Sequence, residues 1–98
     1  MNDHTLALPE ELTIYTVGDL RTPWLGWLAG LSDDAVIDGA AVTQVDAAGV
    51  QLLVSLTRSL DARELAWRLQ GVGGALRDAC LTLGVATRLG THPGGARA

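Results

Sequence analysis

The chain has 98 residues, 48% of them hydrophobic, and a formal net charge of −4. This length suits one domain with one modest core, and the hydrophobic fraction argues against an intrinsically disordered chain. All seven basic residues are arginines, and they are spread along the chain without a cluster. Nucleic acid and anionic membrane surfaces are therefore poor partners, because each requires a concentrated basic patch.

The cysteine content and the N-terminal segment bear on the cellular compartment. Cys80 is the single cysteine, which excludes an internal disulfide and fits a reducing environment. The first residues lack the basic region and apolar run of a secretory signal. No apolar run approaches the roughly 20 residues that span a bilayer. We therefore expect a cytoplasmic protein without direct membrane insertion.

Four short segments have the composition or the alternation of β-strands. Residues 5–8 and 12–15 are two apolar patches joined by a tight turn. Residues 35–38 form an apolar run bounded by acids, which is typical of a central strand buried on both faces. Apolar and polar side chains alternate in residues 64–70, and this predicts a half-buried strand.

The first predicted helix begins at Thr16. Thr16 and Asp19 have the spacing of a capping box with Asp in place of Glu, and apolar residues then recur at helical intervals. Pro23 leaves two alternatives open, which are a kink in this helix or a later start at Thr22.

Two further helices are predicted. Residues 47–62 carry the clearest apolar stripe, preceded by Asp46 as the N-cap. Residues 75–83 form a shorter helix that Gly84 ends, and Cys80 lies on its apolar side as a buried thiol. Residues 86–89 form either a short final strand or none.

The order of these elements predicts the fold class. Strands joined through helices favour an α/β domain with a small, mixed, mostly parallel sheet and helices packed on it. A single domain is expected over residues 1–98, with a folded core over about residues 5–89. Residues 90–98, rich in Gly and Pro, are predicted to be a flexible tail.

Three segments together resemble a STAS domain, the fold of bacterial anti-sigma-factor antagonists. They are "LTIYTVGDLRTPWL", "AVIDGAAVTQVDAAGVQLL" and "LQGVGGALRDACLTLGV", within about residues 6–86. The most specific part runs from Asp38 at a strand end, through Asp46, to Gly49 and a Leu-rich helix. The resemblance implies a non-enzymatic module without cofactors that docks on a regulatory protein.

In the switchable members of this family, a Ser or Thr lies between the Asp and the Gly of this motif. A partner kinase phosphorylates it, and the added charge disrupts docking. In this chain both positions are alanine, Ala47 and Ala48, so the resemblance implies a docking surface without the usual switch. Thr43 is the nearest hydroxyl, and it precedes the motif.

The resemblance also implies a partner-binding surface and several classes of partner. A signalling or chemotaxis-type kinase complex is favoured, and the ATPase of a lipid-trafficking ABC transporter is the alternative. An anti-sigma kinase fits less well, since it would find no hydroxyl at Ala47 or Ala48. A homodimer is a further possibility. Gly49 is expected to face solvent and to accept a larger side chain. The residues expected to face a partner are Thr43, Gln44, Asp46, Ala47, Ala48, Gly49, Gln51, Ser55 and Arg58.

Other candidate sites are weaker. Gly71, Gly73 and Gly74 precede a helix, which suggests an anion- or nucleotide-binding loop, but Leu76 replaces the third glycine of the dinucleotide fingerprint. A flexible turn is the favoured interpretation. The two histidines, His4 and His92, have no neighbours at metal-ligand spacing, so no metal site is expected.

Overall fold

The computed structural model describes residues 4–89. Helices are interspersed with single strands or pairs of strands along this part of the chain. The strands are β1 (Thr5–Ala7), β2 (Glu11–Leu12), β3 (Ala35–Asp38), β4 (Gln44–Val45) and β5 (Trp67–Gln70). The helices are α1 (Val17–Ala29), α2 (Ala47–Ala62), α3 (Gly74–Thr82) and α4 (Ala86–Leu89).

β3 is the central strand of a three-stranded sheet in the order β1-β3-β5, and both pairings are parallel. The register places Leu6 and Leu69 on either side of Ile37, which is buried. Side chains alternate between the two faces of a strand, so Val36 and Arg68 lie together on the other face. The helices therefore cover the face that carries Ile37.

A second sheet consists of β2 and β4 alone, paired in parallel with Leu12 beside Val45. The sequence did not indicate β4, which has only two residues. Its pairing with β2 matters for the site, because α1 follows β2 and α2 follows β4. Both helices consequently start at the same end of this small sheet. Parallel strands in small sheets with packed helices confirm the predicted α/β class.

One apolar core joins the helices to the sheets. The predicted apolar stripe of α2 is confirmed, because its residues are buried in this core. Trp24 is buried, whereas Trp27 and Trp67 are half-buried against the core. The thiol of Cys80 is buried, as expected. The buried apolar residues are Leu8, Leu12, Trp24, Leu31, Ala35, Ile37, Val42, Val50, Leu53, Val54, Leu56, Leu60, Leu76, Cys80, Ala86 and Leu89.

The strand predicted over residues 12–15 is wrong in position, because the chain turns immediately after Leu12. The backbone N–H of Thr13 donates to the hydroxyl oxygen of Thr16 over 3.0 Å, and that hydroxyl donates to the carbonyl oxygen of Glu11 over 3.0 Å. These short-range bonds close a turn over residues 13–16. The turn leaves the two apolar residues between the threonines outside the sheet.

α1 begins at Val17 with Thr16 at the N-cap position, and it continues through Pro23. The Thr16 hydroxyl makes no capping hydrogen bond, since the turn that precedes the helix occupies it. The predicted capping box with Asp19 is therefore wrong, although the helix start lies one residue from the prediction. The later start at Thr22 is excluded by the same helix bounds.

α3 ends at a glycine, as predicted. Gly84 has a φ of +75°, and its N–H donates to the carbonyl of Leu81 over 3.2 Å. The N–H of Val85 donates to the carbonyl of Cys80 over 3.0 Å, which completes a Schellman motif. The motif turns the chain back on itself, and residues 86–89 form a short helix rather than the strand that was one alternative.

α2 ends in the same motif with an unusual residue at the left-handed position. Glu64 has a φ of 59°, and its N–H donates to the carbonyl of Asp61 over 2.9 Å. The N–H of Leu65 donates to the carbonyl of Leu60 over 3.0 Å. A side chain in this conformation costs free energy that a glycine does not.

Two further predictions from the sequence concern membrane insertion and the C-terminal residues. Among residues 4–89, no helix is long and apolar enough to cross a membrane. The predicted flexible tail, residues 90–98, and His92 lie outside the described residues.

Substitutions at the left-handed residues of the two Schellman motifs should change the free energy of unfolding in opposite directions. Glu64→Gly should raise the free energy of unfolding by about 0.5–1 kcal/mol, because it relieves the left-handed backbone. Gly84→Ala should lower it by about 1–2 kcal/mol for the same conformational reason, since open space surrounds that position. Urea unfolding followed by circular dichroism measures both. A lower stability for Glu64→Gly would contradict this account of the α2 terminus.

Candidate docking site at the start of helix α2

Asp46 joins two parts of the chain that are distant in sequence. Its Oδ1 accepts a hydrogen bond from the N–H of Gly49 over 3.1 Å, which is the predicted N-cap bond. Its Oδ2 accepts a hydrogen bond from the N–H of Ile14 over 3.0 Å. Its own N–H donates to the carbonyl of Leu12 over 3.3 Å. One carboxylate therefore holds the start of α2 against the turn that precedes α1.

Gly49 is buried at the closest approach of α2 to β2. A Cβ atom here would overlap the carbonyl oxygen of Leu12 and would lie 2.9 Å from its Cγ. The expectation that Gly49 faces solvent and accepts a larger side chain is wrong. Glycine is required because the helix lies against the backbone of the strand, where no side chain fits.

Ile14 and Tyr15 form an exposed apolar pair directly beside the start of α2. Their relative exposures are 61% and 85%, among the highest of the large apolar residues in the described chain. Thr13 orders the turn that carries them, because its hydroxyl donates to Glu11 Oε2 over 2.7 Å and accepts from the N–H of Tyr15 over 3.2 Å. An ordered turn thus holds two large apolar side chains in solvent.

Ile14 and Tyr15 were not predicted as site residues, because the sequence pattern predicts a strand over both. The available signal was the pair of threonines that flank them, in "TIYT", directly before a helix start. Threonine hydroxyls readily bond nearby backbone groups and compete with strand pairing. An apolar residue just before a helix N-cap often packs on the first helical turn, but Tyr15 remains largely exposed.

The nine residues expected to face a partner are mostly accessible. Gly49 is the exception, since it is buried. Asp46 and Ala48 are half-buried at the first turn of α2. The exposed residues are Thr43, Gln44, Ala47, Gln51, Ser55 and Arg58. Arg58 lies about 18 Å along the helix from Asp46, at ~1.5 Å per residue, so it is remote from the corner that Asp46 organises.

Arg63 joins the other ends of the same two helices. Its guanidinium donates to the carbonyl oxygens of Leu28 and Leu31, the second over 2.8 Å. A cation beside the last carbonyls of α1 also complements the negative end of the helix dipole. α1 and α2 are thus held together by Asp46 where they begin and by Arg63 where they end.

The family model described as "Mlab, STAS domain" matches residues 1–91. The chain belongs to the STAS domain family. STAS domains are protein-interaction and regulatory modules and are generally non-catalytic. The resemblance inferred from the residues around Asp46 and Gly49 is therefore confirmed at the level of the family.

A solved structure shows the same STAS fold. The crystal structure of a sulfate transporter family protein from Wolinella succinogenes superposes with a TM-score of 0.72 at 18% sequence identity. The match covers 93% of this chain and 78% of that one. At this identity the likeness concerns the fold alone. Among curated proteins, no sequence matches this STAS domain significantly.

The glycine loop before α3 has a structural explanation. Gly71 has a φ of +71°, and a Cβ atom there would lie 2.8 Å from Asp38 Oδ1. Gly73 is the N-cap of α3, and Gly74 is its first residue. The Asp38 carboxylate at this turn disfavours a bound phosphate, because like charges repel. In the described part of the chain, no cluster of His, Cys, Asp and Glu side chains is arranged to hold a metal ion.

The hydrogen bonds from the two backbone N–H groups also lower the pKa of Asp46. The N–H of Ile14, and next the N–H of Gly49, lower the pKa of this carboxyl below its ordinary value. A lowered folded-state pKa means that the carboxylate stabilises the fold above the unfolded-state pKa of about 3.9. That stabilisation is lost as the pH falls through the lower folded-state value.

Asp46→Asn should therefore have a pH-dependent effect on stability. At neutral pH the variant should unfold at a lower urea concentration than the wild type, because the amide is a weaker acceptor for the two N–H groups. The difference should persist down to about pH 5 and shrink below about pH 4, because there the carboxyl of the unfolded wild type takes up a proton before the carboxyl of the folded protein does. A difference that stays constant down to pH 3 would exclude the carboxylate charge as its cause.

Gly49→Ala should lower the free energy of unfolding by about 2–3 kcal/mol or more, because its Cβ overlaps the Leu12 backbone. Gly18→Ala is the matched control, since Gly18 lies in α1 with no atom within 4 Å of the added Cβ. The control should gain about 0.4–1 kcal/mol from the lower entropy of the unfolded chain. Equal effects of the two exchanges in urea unfolding would refute the close approach at Gly49.

Proposed function

We propose that this STAS domain is a cytoplasmic, non-enzymatic docking module of the anti-sigma-factor-antagonist type, which binds a regulatory protein through the start of α2. The observation that carries the proposal is the pair of hydrogen bonds that the N–H groups of Ile14 and Gly49 donate to the Asp46 carboxylate. These bonds hold an exposed Ile-Tyr pair beside the open first turn of a helix.

The exposed pair has the properties of an interface anchor. Tyr15 has a large apolar ring and a polar hydroxyl, and tyrosine is enriched among residues that dominate binding energy. The turn around it is already ordered by the bonds of Thr13, so little conformational entropy is lost on docking. Ala47 and Ala48 add a low surface on which another backbone can approach closely.

The module is always competent to bind, because its first turn offers no hydroxyl for phosphorylation. Ala47 and Ala48 occupy both positions between Asp46 and Gly49. Of the nearby hydroxyls, those of Thr13 and Thr16 donate hydrogen bonds to Glu11, and that of Thr43 donates to the carbonyl of Glu10 over 3.5 Å. Control of docking must then come from the partner or from the amount of protein.

Two classes of partner fit a docking surface without a phosphate switch. The favoured one is a signalling or chemotaxis-type kinase complex, in which the kinase activity is directed at another substrate. The second is the ATPase subunit of a lipid-trafficking ABC transporter, which requires binding but no phosphorylation of this domain. Both are ATP-binding regulatory proteins, and identification of the captured partner separates them.

Tyr15→Ala should reduce capture of the partner by about tenfold or more, since loss of an aromatic anchor often costs at least ~2 kcal/mol of binding. The tagged chain is immobilised, incubated with extract of the cells that encode it, and the retained proteins are quantified by mass spectrometry. Ala47→Glu should have a similar effect, because it adds a charge and bulk to the open turn.

Matched controls keep this test specific. Leu81→Ala removes another exposed apolar side chain, 44% exposed on α3, and should leave capture unchanged. Ala62→Glu adds the same charge at the other end of α2 and should also leave it unchanged. Recovery of the same kinase or ATPase by the wild type and by Tyr15→Ala would refute the proposed docking surface.

A further inference from the structure

A small open groove, with a cavity volume of about 70 Å³, lies between α1 and α2. Arg21, Leu25 and Leu28 line it from α1, and Leu52, Ser55 and Ser59 line it from α2. Leu25 is 61% exposed although it lies on a helix that faces the core elsewhere. The groove shares no residue with the exposed pair Ile14–Tyr15, although Ser55 in its lining is one of the nine residues expected to face a partner.

The shape of the groove suits a third helix. Two helices held at both ends, by Asp46 and by Arg63, form a rigid pair with a furrow between them. The α2 wall is low, because Ser55 and Ser59 are small, and low walls let another backbone approach closely. Leu25 and Leu52 provide the apolar contacts that an amphipathic helix uses when it lies in a groove.

The positive charge of the groove favours an incoming helix that carries an acidic side chain. Within the described chain, its lining contains one charged side chain, Arg21, and no carboxylate. The guanidinium of Arg21 makes no hydrogen bond or ion pair with any residue among 4–89. An acidic side chain on the incoming helix would therefore meet an available partner with five donor groups.

The same charge argues against a second copy of this chain as the occupant. A two-fold symmetric dimer brings the same patch of each subunit together. Two grooves facing one another would offer two arginines and no carboxylate from either lining. A different protein that supplies the acid is the better complement.

We propose that the groove between α1 and α2 binds an amphipathic helix of a partner protein, which packs apolar side chains on Leu25 and Leu52 and directs a carboxylate to Arg21. The site is independent of the docking surface at Tyr15. A partner that uses both surfaces would bind more tightly than either contact alone allows, because the second contact becomes intramolecular.

The experiment selects helical peptides from a displayed random library on the full-length purified chain. On the wild type, the enriched peptides should carry large apolar residues one helical turn apart and an Asp or Glu on the same face. On Arg21→Glu, the enriched peptides should instead carry Lys or Arg at that position. For one synthesised peptide, measured by fluorescence anisotropy, Arg21→Glu should weaken binding about tenfold or more.

Exchange of the peptide acid for lysine should restore binding to Arg21→Glu and abolish binding to the wild type. Leu25→Glu should abolish peptide binding, whereas Leu81→Glu, which changes an exposed leucine outside the groove, should not. Both leucine variants should keep the wild-type unfolding midpoint, since each side chain is largely or partly in solvent.

Several outcomes would overturn the proposal. Peptides without an acidic preference, an absence of enriched peptides, or binding that survives Leu25→Glu would each exclude the site. A dimer in analytical ultracentrifugation that Leu25→Glu dissociates would assign the groove to a second copy of the chain. Loss of peptide binding in Tyr15→Ala would move the peptide to the other surface and leave the proposed function intact.

Discussion

At Gly49, helix α2 passes so close to the backbone of β2 that hydrogen is the only side chain that fits. This contact sets the height of the first turn of α2 above the β2–β4 pair. At that height the Asp46 carboxylate reaches the N–H of Ile14 as well as the N–H of Gly49. The turn before α1 and the start of α2 consequently form one rigid corner.

The run of small residues after Asp46 has two separate causes. Gly49 is small because it faces inward, against the Leu12 carbonyl. Ala47 is exposed, so packing against the rest of the chain does not explain why its side chain is small. A small exposed residue next to Asp46, which binds the turn that carries the 85% exposed Tyr15, is consistent with a surface shaped for contact with another protein. One short motif thus combines a structural requirement with a proposed functional one.

The pairing of α1 with α2 supports both proposed surfaces. Asp46 and Arg63 hold the helices at their two ends, and Trp24 fills the core beneath them. Because this frame exists before binding, a partner does not have to order it, and less conformational entropy is lost on association. The corner and the groove therefore depend on the same two charged residues, although they share no exposed anchor.

Much of this structure follows from local patterns. The apolar stripe of α2, the Asp46 N-cap, the Gly84 terminus and the buried Cys80 were all predicted, because each depends on side chains within a few helical turns. These signals, together with the order of strands and helices, were also enough to indicate the α/β class. The STAS family was indicated by the resemblance of three sequence segments, above all the one that contains Asp46 and Gly49.

What the tertiary structure decided involves residues far apart in the chain. Three contacts join segments that are more than 30 residues apart: the two-residue pairing of β2 with β4, the burial of Gly49 against Leu12 and the bond from Ile14 to Asp46. No local pattern encodes such contacts, since their geometry is set by how separate elements pack. In "TIYT" the hydroxyls of Thr13 and Thr16 close the turn through short-range bonds, whereas its position beside the start of α2 depends on the long-range bond from Ile14 to Asp46.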